Sequence, residues 1–194
     1  MNKRVILITG TPSVGKTTLA RKLANQLHAY YVNLTELCEK ENLTLSKDVE
    51  RDTTIIDEVK MRKKLQSIIE ETKSDIIIDG HYAAAVTPKN LVTHTFVLRR
   101  NPIELQELMK KRGYSEAKQN ENLAAEILDV CLVEAIQNQR EGKVCELDVT
   151  CKNVEEIMSE ALAVLEGKTK CYVGTIDWLG MLEQKGKLDE FLKV

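Results

Sequence analysis

The chain has 194 residues, 43% of them hydrophobic, with a formal net charge of −2, which suits one α/β domain with a buried core and a small insert. The near-balance of charge argues against a protein that coats nucleic acid through bulk electrostatics, and no apolar run approaches membrane-spanning length. Five cysteines, at 38, 131, 145, 151 and 171, contain no C-x-x-C pair and read as reduced thiols of a cytoplasmic protein rather than a zinc site or a disulfide framework.

Met1 to Arg4 lead straight into Val5-Ile6-Leu7-Ile8, so no signal peptide is expected. That unbroken apolar run is the pattern of a parallel strand buried on both faces. It feeds Gly10-Thr11-Pro12-Ser13-Val14-Gly15-Lys16-Thr17, which fits the phosphate-binding loop G-x-x-x-x-G-K-[ST]. Thr18 to Leu27 then place Leu19, Leu23 and Leu27 on one helical face. In such a loop the backbone N–H groups turn inward and the helix N-terminus adds partial positive charge. Lys16 would reach the β- and γ-phosphates, and the Thr17 hydroxyl would ligate Mg²⁺.

Ala29-Tyr30-Tyr31-Val32 predicts a second strand, with Asn33 or Thr35 capping a helix after it. Residues 33–56 turn polar and irregular, too polar for core, where a second substrate is gripped or a solvated helical hairpin lies. Asp57 to Thr72 predicts a helix with Met61, Leu65 and Ile68 at helical spacing. Its cluster of Lys60, Arg62, Lys63 and Lys64 reads as a solvated face sooner than as a nucleic-acid site. Ile76-Ile77-Ile78-Asp79 puts an acid at the carboxyl end of a buried strand, where parallel sheets bind ligands. Asp79 there would hold Mg²⁺ directly or through water, and His81 would orient or deprotonate a water or hydrogen-bond the γ-phosphate.

Thr95 to Arg99 predicts another strand, and Asn101-Pro102-Ile103-Glu104 starts a helix that runs to about Lys111. Arg112 after it either swings over a triphosphate or compensates the helix dipole. One long helix is predicted from about Asn120 to Arg140, then a last strand over Val144 to Val149. Thr150 to Lys152 would frame an adenine edge, and Asn153 to Glu156 form a capping box ahead of the stripe Val154, Ile157, Met158, Ala161 and Leu165. The tail from Lys168 predicts two short amphipathic helices that pack on the main body or form a partner-binding arm.

Gly-Thr-Pro-x-Val-Gly-Lys-Thr-Thr at 10–18, Asp-x-His at 79–81, Phe-Val-Leu-Arg at 96–99 and Arg-Gly-Tyr at 112–114 together resemble the small adenylate-kinase-like P-loop ATPases. These include the coilin-interacting nuclear ATPase and archaeal adenylate-kinase-like proteins, and the likeness covers roughly residues 3–165. It implies a three-layer α/β P-loop NTPase fold with a five-stranded parallel sheet in the order 2-3-1-4-5. Residues 1–167 would form the kinase-like domain and 168–194 a helical extension. Residues 33–56 would be the nucleoside-monophosphate-binding region and 111–121 a short lid. By the same resemblance Ser13, Val14, Gly15, Lys16, Thr17, Thr18 and Arg112 would bind ATP phosphates. Lys16, Asp79, His81 and Arg112 would carry catalysis, with Thr17 and Asp79 on the metal. The chain departs from the family at Ser13, where glycine is usual, and at Glu39, where relatives can carry arginine to grip the monophosphate.

The implied reaction is phosphoryl transfer from MgATP to AMP or dAMP, giving two ADP when AMP accepts. The resemblance equally implies an ATPase switch in small ribosomal subunit maturation, with a small-subunit ribosomal protein and pre-rRNA as partners. A shikimate- or gluconate-type small-metabolite kinase is a third reading on the same scaffold.

Overall fold

The structure is a computed structural model that describes residues 3–48, 53–140 and 142–193. β1 (Val5–Gly10) is followed by α1 (Lys16–Leu27), β2 (Tyr30–Asn33) and α2 (Leu34–Lys40). The pair β3 (Thr44–Asp48) and β4 (Thr53–Ile56), then α3 (Glu58–Glu71), β5 (Ile76–Asp79) and the single turn α4 (Ala83–Val86) come next. They lead to β6 (His94–Arg99), α5 (Pro102–Lys111), α6 (Glu116–Ile127), α7 (Val130–Asn138) and β7 (Val144–Asp148). The chain then forms α8 (Val154–Leu165) and the short α9 (Trp178–Gln184) and α10 (Leu188–Phe191).

The main sheet has the order β2-β5-β1-β6-β7, all parallel, which is the expected 2-3-1-4-5 once only its own strands are counted. Side-chain alternation divides the strands between two cores. Ile6, Ile8, Ile77, Phe96 and Leu98 pack with residues of α1, α5, α6 and α8. Val5, Leu7, Ile76 and Ile78 pack with α2, α3 and α4. Helices therefore cover both faces, and the carboxyl edge of the sheet is left for a ligand.

The structure departs from expectation in four places. Residues 33–56 hold the expected helix, α2, capped by Asn33, and then an unexpected antiparallel β3–β4 pair, with residues 49–52 outside the described residues. Only Leu34 and Cys38 of α2 are buried, and two anchors one turn apart give little periodicity from which to read its length. The expected helix 120–140 is two helices. Asp129 sits between them at φ 58, and its carboxylate accepts from Arg99 Nη2, a contact a continuous helix would forfeit. The expected lid 111–121 is only a turn over residues 112–115, because Ser115 caps α6 and accepts from the Lys118 amide.

The fourth departure concerns the cysteines. Cys145 on β7 and Cys171 are paired as a disulfide with Cα atoms 4.6 Å apart, correcting the expectation of five free thiols. They meet because the tail runs beside β7, where the Glu146 amide donates to Tyr172 O at 2.9 Å. Beyond that point Leu182 and Phe191 enter the α1-side core, so the extension packs on the main body. The basic cluster of α3 is a paired surface: Lys60 meets Asp57, Lys64 meets Glu41 and Arg62 donates to Ala85 O.

Phe191→Ala should lower unfolding free energy by about 3–5 kcal/mol, read from a urea midpoint; an unmoved midpoint would show that the tail adds nothing to the core. Thiol accessibility gives a second test. Cys151 is exposed, whereas burial pushes the Cys131 thiol up to about 11, so little thiolate forms there at pH 8. Iodoacetamide at that pH should modify Cys151 well ahead of Cys131, with Cys145 and Cys171 protected until reduced; equal rates at 131 and 151 would contradict the packing.

Candidate active site

The phosphate loop is shaped by close approach. Gly10 has φ 136, and a Cβ on it would stand 2.4 Å from Leu98 O, so only glycine lets the chain leave β1 flush against β6. Gly15 is left-handed at φ 113 and starts α1 without any side-chain cap. The first amides of α1 thus lack the usual internal acceptor and suit an anion. Ser13 stands at φ 73, a conformation that costs a non-glycine residue about 1 kcal/mol. Val14 points into the core, while Thr18 is exposed on the first turn of α1.

Lys16 Nζ donates to Thr11 O at 2.9 Å. Burial pulls its ammonium below the ordinary lysine range, against the opposing effects of Cys131, Asp79 and Glu126, and Arg112 adds to the fall. Arg112 follows the last turn of α5 and donates from Nη1 to Ser13 Oγ at 3.2 Å. The phosphate loop and the turn after α5 therefore touch.

Asp79 lies beside Ile8 of β1 on one side and Asn33 of β2 on the other. Its Oδ2 accepts from Thr17 Oγ1 at 2.6 Å, Tyr31 OH at 3.0 Å and Asn33 Nδ2 at 3.0 Å. Sequence reasoning missed Tyr31 and Asn33. The signal was available: they alternate along β2, so they point to the same side of a strand next to β5. Thr17 and Asp79 are oxygen donors of the kind a hard cation takes. Among the described residues no group of three or more His, Cys, Asp or Glu stands together to hold a metal, so an ion here needs oxygens from a ligand or water.

His81, two residues past Asp79, is solvent-exposed. Its ring meets Tyr82 edge-on at 4.7 Å, and Thr9 Oγ1 donates to its carbonyl at 2.9 Å. Protein crowded around the ring, then the charges of Lys16 and Lys118, push the imidazole below its ordinary pKa, toward the neutral form. A neutral ring can accept a proton or a hydrogen bond.

Two further groups brace the loop from beneath. Arg100 Nε donates to Val14 O at 3.3 Å. Glu126 on α6 accepts from Thr11 Oγ1 at 2.5 Å and also pairs with Arg99, 2.9 Å away. Burial works against the Arg99 charge, but Glu126, Asp129 and Glu146 hold it, so its pKa rises. Neither brace was visible in the sequence, where Glu126 is one acid among many on a helix.

Residues 6–129 match a family model described as an AAA domain. A protein of Methanococcus maripaludis named "Putative adenylate kinase" is 39% identical over 180 residues, covering 90% of this chain and 95% of its own length. A protein of the same name from Methanocaldococcus jannaschii is 40% identical over 173 residues, 89% of this chain and 92% of its own. Shikimate kinase from Bacteroides thetaiotaomicron matches at TM-score 0.60 and 17% identity over 84% of this chain and 98% of that one, a likeness of fold alone. With that loop, that sheet order and relatives matched over nearly their whole length, the chain belongs to the AAA-domain family and to the same family as these archaeal adenylate-kinase-named proteins.

Proposed function

We propose that the protein is a nucleoside monophosphate kinase of adenylate-kinase type, moving the γ-phosphoryl group of ATP to AMP or dAMP. The single observation that carries this is the 2.6 Å contact between Thr17 Oγ1 and Asp79 Oδ2 beside an uncapped helix N-terminus. It sets a carboxylate and a hydroxyl at the first turn of a helix without a side-chain cap, the arrangement a metal–triphosphate needs. Amides of residues 13–18 would hold the phosphates, with Lys16 leaving Thr11 O to reach the β- and γ-oxygens. Arg112, already on Ser13, would neutralise charge as it spreads over the transferring group. Thr17 and Asp79 would hold Mg²⁺, which supplies charge neutralisation on the phosphate oxygens. The acceptor would lie against α2 and the β3–β4 pair, and an ionised phosphate oxygen needs no dedicated base.

Two features favour a second activity, ATP hydrolysis. His81 is exposed, where water can reach it, and its ring is pushed toward the neutral form. Glu39 is exposed on α2, where a cation would grip a monophosphate better. Together with the resemblance to the coilin-interacting ATPases, this supports a hydrolytic switch in small ribosomal subunit maturation, with a ribosomal protein and pre-rRNA as partners.

A coupled assay of purified protein with MgATP, alone and with each nucleoside monophosphate, tests both. AMP-dependent ADP formation far above the water-only rate is expected, and a rate indifferent to every monophosphate would leave the switch alone. Lys16→Ala should cut turnover by roughly 10²–10³-fold, the scale of losing one transition-state donor. His81→Ala should remove hydrolysis and spare AMP-dependent transfer; equal loss of both would refute this division of roles.

A further inference from the structure

The C-terminal helices are joined to the phosphate loop through one buried carboxylate. Glu126 is 1% exposed. Its Oε1 accepts from Arg99 Nε at 2.9 Å, the Arg100 amide at 3.0 Å and the indole N–H of Trp178 at 3.1 Å. Its Oε2 accepts from Thr11 Oγ1 at 2.5 Å. Thr11 in turn offers its carbonyl to Lys16 Nζ at 2.9 Å. The tail makes a second tie to the same cluster: the Thr175 amide and hydroxyl donate to Glu146 Oε2 at 3.0 and 3.2 Å, and Glu146 pairs with Arg99.

From this connectivity we propose that Glu126 is a positioning residue for the phosphate loop and that, through it, Trp178 and the tail are coupled to nucleotide occupancy. The proposal rests on the nucleotide-site reading above. A purely structural role would need no ions at all, since replacing a whole buried ion cluster with well-packed apolar residues is often neutral or stabilising. What a carboxylate adds is a shared acceptor. Its lone pairs are divided among a donor from the loop, two from the end of β6 and one from the tail, so a change at one donor is felt by the others. When phosphates draw Lys16 from the Thr11 carbonyl, the loop residue held by Glu126 changes its surroundings first. Linkage makes the effect reciprocal: if nucleotide tightens the Trp178 contact, that contact tightens nucleotide by the same factor.

Trp178 is the sole tryptophan of the chain, which makes the coupling observable. ADP is titrated into the full-length protein while tryptophan emission and, separately, binding heat are followed. In the unaltered protein the emission should change with the midpoint given by calorimetry. Thr11→Val keeps the side-chain shape but removes the donor, so ADP should bind about fivefold or more weakly and, at saturation, without the emission response. Trp178→Phe keeps an aromatic ring but removes the N–H, and should raise the ADP dissociation constant about fivefold or more. Binding heat without an emission change in the unaltered protein, and an unaltered constant in Trp178→Phe, would overturn the coupling and leave the nucleotide site standing. No binding heat at all would remove both readings. If Thr11→Val fails to fold, the unaltered protein and Trp178→Phe decide the matter.

Discussion

β1 runs between β5 and β6, and the chemistry at the site is set by where these three strands stop. Ile8 is level with Asp79, and Gly10 is level with Leu98. The phosphate loop therefore begins just beyond the acid and must turn back over it. α1 then brings Thr17, in its first turn, onto the Asp79 carboxylate. None of this needs a special fold feature beyond a parallel sheet covered on both sides, which leaves only its carboxyl edge open. The constraint is tight at Gly10, where the backbone of β6 occupies the space any side chain would require.

A second constraint lies one layer deeper. Arg99 is 1% exposed and faces Glu126, Glu146 and Asp129. Asp129 is 38% exposed at its side chain, so water screens it, and the dry part of the cluster holds two carboxylates against one guanidinium. The excess negative charge is settled by hydrogen-bond donors: Thr11, the Arg100 amide, Thr175 and Trp178. Two of those come from the tail. Removing one member of such a cluster leaves a buried charge uncompensated, at a cost of about 3–5 kcal/mol. The extension that looks separable by composition is thus an electrostatic part of the domain.

How much of this is legible in the sequence depends on range. The loop at 10–17, the acid after three isoleucines and the capping box at Asn153 are local patterns, and each occurs in the structure as read. The start of α2 is legible from its cap, Asn33, but its extent is not, because Thr35, Glu36, Glu39 and Lys40 are exposed and only two apolar anchors mark it. The break at Asp129 is hidden because its cause, Arg99, lies 30 residues away. Glu126 and the Cys145–Cys171 pair escape for the same reason: each acquires its meaning from a partner that only the folded chain supplies. Tyr31 and Asn33 are intermediate, readable once β2 is known to lie beside β5.

Ser13 shows how a departure from a motif is absorbed. The left-handed conformation it adopts is one glycine accepts freely, and serine bears a cost of about 1 kcal/mol there. In exchange the loop gains a hydroxyl, and that hydroxyl accepts the Arg112 guanidinium at 3.2 Å. A glycine would leave Arg112 to the turn that carries it, with no side-chain contact to this point of the loop. The guanidinium is instead fixed against the loop by a side-chain contact, and in the role proposed for it less ordering would remain when charge develops there. A local strain that lowers stability slightly thereby places a cation beside the loop, at the very position where the match to the motif is weakest.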